Sequence, residues 1–360
     1  MEVLKWTGPV VVIMDCTKIC TKLTYSQELG CIVESTLSFD STNVITYDDI
    51  HLKIKEIQDN KAITSQVRCV VLKIPISRIP PVVITLSPTK GDSKTQEIYA
   101  ILKKIVDMSI QANINLISIG AHGAITEYNA QVLLMQGNDI QEFLTYDNKI
   151  YNVHFRAPIY SGKPIICIQD LKHAKKNGRN AIHSGAHFLV LGNHTVRYNQ
   201  IYQLVQEENS ALYGRFARPY MRDIINVDKQ DDGAVYRVFC STFLAQCQNN
   251  GHLDHDKAVL FIYLFIFGEL FDLFLNRDIS YKTRIIMAMH AYFFLSTWKN
   301  YIEQCAILHL AKWYNMNKSC ISPQSFNIFC SLAESLVLLI LAHRNYYSNY
   351  PFFPCEYGTE

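Results

Sequence analysis

Apolar residues fall in short runs over the first half of the chain and in long helical stripes over the second. The runs at 9–14, 29–37, 67–74 and 81–86 are rich in β-branched residues and separated by Gly, Pro and Asp, so they predict strands and a β-rich start. Between Gln96 and Ala112 the apolar positions 98, 101, 102, 105, 106 and 110 follow a helical period. Asn115 to Ile119 predicts a short buried strand, followed by the loop Gly120-Ala121-His122-Gly123-Ala124 and a helix through Met135. Residues 150–170 return to strand, and a helix begins at 170. From about 195 the pattern is helical and aromatic, with an interhelical turn at 251–256. This order predicts an α/β fold: a mixed sheet over residues 1–190, then a mostly α-helical region over 191–360.

The stretch 258–275 raises the question of a membrane span. Glu269 and Asp272 interrupt it, and the uninterrupted apolar part is about 11 residues, short of the roughly 20 a span needs. It reads as a core helix, and 285–298 and 326–343 repeat its style, so no membrane partner is expected. Charged residues make up 18% of the chain and hydrophobic ones 49%, which excludes a disordered class. The net charge of +2 provides no global field for nucleic acid. Eleven cysteines without a C-x-x-C pair, and a start without a signal peptide, point to reduced thiols in a nuclear or cytoplasmic compartment. Cys16 reads as a packing residue beside Asp15, since no partner for a nucleophile is identifiable.

Candidate chemistry gathers after the apolar run 164–168. Asp170, His173, Lys176 and Asn180 fall near one helical stripe, with Arg179 beside it. Asp170 is also a natural N-cap. Lys172, Lys175, Lys176 and Arg179 form a dense basic cluster that either faces phosphates or is an ordinary solvated face.

The run D-x-x-H-x-x-K-x-x-R-N at 170–180 resembles the signature of P-element and Kolobok-type DNA transposases, THAP-related proteins with an RNase H-like catalytic region. Val10 to Asp15, an apolar strand ending in an acid, is similar to that family's first strand, whose terminal Asp is a metal ligand. The resemblance implies an RNase H-like mixed sheet, a large helical insertion, DNA as partner, and Mg²⁺ or Mn²⁺ as cofactor for strand cleavage and joining. Two hard cations need several carboxylates at one point. Asp15 matches the first. His122 stands where the family carries its second acid, in G-x-D-G-A. Glu127 and Asp170 are further candidate acids. Gly358-Thr359-Glu360 matches the start of the last acidic motif, G-T-E-x-x-E, so Glu360 is a candidate ligand and the chain reads as a truncation of that motif. In P-element transposases an insertion binds GTP, but no G-x-x-x-x-G-K-[ST] loop is found here.

The resulting expectation is a transposon-derived, catalytically inactive transposase domain that retains nucleic-acid binding, with DNA and a second copy of the chain as the candidate partners. Two alternatives stand beside it. One is an active metal-dependent transposase or nuclease using Asp15, Asp170 and another acid such as Glu334. The other is a domesticated DNA- or protein-binding scaffold.

Overall fold

The structure is a computed structural model that describes residues 6–121, 123–137, 140–207, 219–225, 228–249, 252–308 and 314–357. It divides into two compact units. The sheet unit holds residues 1–142 and 158–167; the helical unit holds 143–157 and 168–360. The segment 143–157 and the helix after Asp170 thus belong with the helices, where a single break at 190 was expected.

The sheet unit contains β1 (Val10–Lys18), β2 (Gln66–Lys73), β3 (Val82–Thr89) and β4 (Leu116–Ala121), with β5 (Ile166–Gln169) reaching across the unit boundary. The order is β5-β4-β1-β2-β3. β1 runs parallel to β4 and antiparallel to β2, and β2 runs antiparallel to β3, so the sheet is mixed as expected. β4 is buried at every position, as a central strand reading L-I-S-I-G-A should be. β3 is the open edge, and Val82, Val83, Ile84 and Leu86 are all more than half exposed.

The β-rich start also contains a helix, α1 (Tyr47–Asp59). Its N-terminus is fixed by Asp49, whose Oδ2 accepts from the main-chain N–H of Thr46 at 2.6 Å. Ile50, Ile54 and Ile57 give it an apolar stripe packed on Ile32 and Ala62. The strand expected over 29–37 is only Cys31–Val33, because Glu34 takes a positive φ of 68° and turns the chain. Two further helices, α2 (Thr95–Gln111) and α3 (Ile125–Gln136), lie near their predicted positions. Ile98, Leu102 and Val106 of α2 and Ala130 and Leu134 of α3 form one core with Val12, Met14 and Val70 of the sheet.

The helical unit contains α4 (Leu171–His183), α5 (Asp232–Val238), α6 (Ala258–Leu275), α7 (Tyr281–Leu308) and α8 (Pro323–Tyr346). By length and composition α6 and α8 could each cross a membrane, but most of each is buried inside the protein. Phe267 of α6 meets Phe329 of α8 at 4.8 Å between ring centroids. Glu269, one of the acids that interrupts the apolar run, lies with Oε2 2.8 Å from Nδ1 of His290 on α7. The segment 143–157 joins this unit through Phe155, which stacks on Tyr146 and meets the edge of Tyr292 at 5.0 Å.

Candidate functional site

β1 outlasts its pairing with β4. Met14 pairs with Ala121, the last residue of β4, while β1 continues beside β2 to Lys18. Asp15 therefore sits one step past the β4 end of the register, opposite Cys69 of β2. Strand alternation sends Val12, Met14 and Cys16 to the α2–α3 side and Asp15 to the other. Asp15 is exposed, and its Oδ1 accepts from the N–H of Cys16 at 2.7 Å. Burial raises the Cys16 thiol's pKa, with Glu127 and Asp15 adding to it and Arg68 opposing, so Cys16 is held as a thiol.

On the α2–α3 side lies an ion pair that the sequence reading did not find. Arg68, opposite Cys16 in register, points into the core and is only 4% exposed. Its Nη1 is 2.5 Å from Glu127 Oε1 in the first turn of α3, and 3.4 Å from Met14 Sδ. Glu127 is thus committed to a guanidinium on the face opposite Asp15. The missed signal was parity: Arg68 shares a face with Val70 and Leu72, and a charge at a core-facing position demands a buried partner.

In the helical unit, Asp170 caps α4: its Oδ1 accepts from the main-chain N–H of His173 at 3.0 Å. The basic cluster behind it does not form one solvent-facing patch. Only Lys172 is exposed among its four cations. Lys175 is buried with Nζ 4.8 Å from the Tyr236 ring centre and 5.5 Å from that of Phe271. Burial lowers its pKa, against the attraction of Asp272. Lys176 Nζ lies 3.2 Å from Asp232 Oδ1. Arg179 is fully buried; its Nη2 donates to the Asp228 carbonyl at 2.8 Å and to Asn180 Oδ1 at 3.2 Å. The expectation that Lys175 and Arg179 contact a phosphate backbone is corrected by this burial, because α4 is packed between α5 and α6 on those sides.

Two further acids in this unit lie wholly or partly buried. Asp223 is nearly inaccessible and receives a bidentate pair from Arg237, both at 2.7 Å. Burial pushes its pKa up, but the hydrogen bonds from Arg237 and from Tyr220 prevail and hold it low. Glu334 on α8 is pushed up to about 7 by burial alone. Its burial on an apolar helix suits a structural role more than the metal ligand of the active-enzyme alternative.

His122 and Glu360 lie outside the described residues. Among the described residues no group of three or more His, Cys, Asp or Glu side chains converges to hold a metal. The described groups around Asp15 do not fit a two-metal centre: Glu127, the other candidate acid of this unit, is on the opposite face of the sheet and paired with Arg68.

No family model and no curated protein matches the chain. A solved structure does: the Drosophila P element transposase strand transfer complex, with a TM-score of 0.60, over 97% of this chain and 69% of that one. The fold is similar to that of a P element transposase. The two chains share 12% identity, so the likeness is one of architecture. It covers both the mixed sheet and the helical unit.

Proposed function

We propose that this chain is a transposon-derived protein that keeps the transposase architecture and binds DNA without metal-dependent strand chemistry. The observation that carries the second half is the partition of acids in the sheet unit. Asp15 stands on one face at the end of the β1–β4 register, while Glu127 is held by Arg68 on the opposite face. A two-metal mechanism stabilises attacking and leaving oxygens together and needs converging carboxylates. The first half is supported by the fold likeness and by the 170–180 motif.

DNA affinity is measured by gel shift with a duplex over a range of salt concentrations. Binding that weakens linearly in log–log form is expected, with little preference among sequences. Lys172 is the one member of the basic cluster that faces solvent, so Lys172→Ala reduces the salt slope by about 1 if it touches a phosphate. Absence of binding at low salt contradicts the reading.

A further inference from the structure

Of the two edge strands in the five-stranded sheet, β5 is buried at every position and β3 is not. Every residue from Pro81 to Leu86 is exposed, so both faces of β3 meet solvent as well as its free main-chain side. Proteins keep such an edge from pairing with charges, above all lysine, or with prolines and bulges. Here no charged residue falls between Arg78 and Lys90. Pro81 and Pro88 stand near the two ends and leave an apolar run between them. A bulge is present, because the register with β2 breaks beside Val70 and Ile84 is the extra residue. The Ile84 side chain is exposed, so the bulge presents an apolar group at the edge.

A second copy can pair with this strand antiparallel about a two-fold axis, and the flanking charges select the register. Arg78 and Asp92 are exposed on either side of β3 and lie equally far along the chain from Thr85. An axis at Thr85 therefore brings Arg78 of each copy to Asp92 of the other. Shifted by one residue, the axis sets Arg78 against Lys90 or Lys94 instead. Like charges facing each other across paired strands are destabilising. The contact is the same on both copies and so closes at two, and the buried β5 leaves no second edge on which to continue.

We propose that β3 is a homodimer interface, in which the strands of two copies pair antiparallel about an axis at Thr85, join the two sheets into one and cover the apolar run. The dimer is independent of the DNA-binding reading, and its test contains no DNA.

The full chain is followed by sedimentation velocity over a concentration series. A reversible dimer is expected with a Kd between about 1 and 100 µM, since one strand per copy is a small interface. Ile84→Lys weakens it at least about tenfold. Arg78→Asp and Asp92→Arg each weaken it about threefold or more, because each sets like charges together. Mixing these two variants restores association, since each then meets its opposite, and so does combining them in one chain. Under mild oxidation Thr85→Cys forms a covalent dimer that the wild type and Val82→Cys do not. A chain that stays monomeric at about 300 µM overturns the proposal and leaves the edge to a strand of another protein. Association that extends beyond a dimer, that ignores Ile84→Lys, or that is not restored on mixing overturns it as well. Every substituted side chain is exposed, so loss of association is not loss of the fold.

Discussion

The two units bury cations in different ways. In the sheet unit Arg68 meets a carboxylate, Glu127, under the helices. In the helical unit Lys175 lies against aromatic rings and Arg179 against main-chain carbonyls. The first arrangement sets charge in contact with charge; in the second the direct contacts are fixed dipoles and ring faces, and Asp272 near Lys175 and Asp231 near Arg179 attract without a direct ion pair. Removing one partner therefore leaves different direct contacts behind: a buried carboxylate in the sheet unit, neutral acceptors and ring faces in the helical unit. The comparison also shows why a basic run in sequence is a poor guide to a binding surface. Four cations within eight residues are distributed by helix geometry around α4, and packing on α5 and α6 takes two of them out of reach.

The largest effect is expected at the charge pair. Arg68→Ala leaves Glu127 charged and buried and should cost about 3–5 kcal/mol in urea denaturation. The double variant Arg68→Met/Glu127→Leu removes both charges at similar volume and should recover most of that loss. A double variant as unstable as the single one would show that the pair does not behave as a coupled unit.

Arg179→Met tests the other arrangement. It leaves the Asp228 carbonyl without its donor, while the acids that attract Arg179, Asp231, Asp223 and Asp228, are not in direct ion pairs with it, so a smaller loss of about 2–3 kcal/mol is expected in the same measurement. A loss as large as that of Arg68→Ala would erase the distinction between the units.

A third test uses pH. Glu334 has a folded pKa of about 7, above its ordinary value of 4.5, so the folded state holds its proton more tightly than the unfolded one. Its contribution is fully present below the unfolded pKa and is lost as pH rises through about 7. Glu334→Gln should remove a decline on the order of 3 kcal/mol across that window. An identical pH profile in the wild type and the variant would place Glu334 in contact with solvent.

The smallest effects belong to the surface. Lys172→Ala and Ile84→Lys, at an exposed position of the open edge strand, should each change stability by less than about 0.5 kcal/mol in denaturation. Ile84→Lys should in addition lower self-association in light scattering, since a lysine blunts an apolar edge.

Much of the fold was legible because its strong signals are local. The β-branched run of β1, the helical period of α2 and the Asp170 cap each specify their element within a few residues. The helix at 47–59 was missed because its apolar stripe, Ile50, Ile54 and Ile57, is thin and surrounded by charges. Its capping pair, Thr46 and Asp49, was the available clue. The candidate site was less legible than the fold. The first acid could be read at the end of an apolar strand, but the face on which Glu127 would lie depends on register with β2 and on the docking of α3. Burial of Lys175 and Arg179 likewise depends on residues 228–271, more than 45 positions away.

Strand cleavage is the most direct measure of the central claim. A hairpin or nicked duplex is incubated with the purified chain and Mg²⁺ or Mn²⁺, beside the Asp15→Ala variant. The account predicts no metal-dependent cleavage or joining by either protein, while both retain the same DNA affinity. Robust metal-dependent cleavage by the wild type, abolished by Asp15→Ala, would contradict it and show that further carboxylates complete a working site around Asp15.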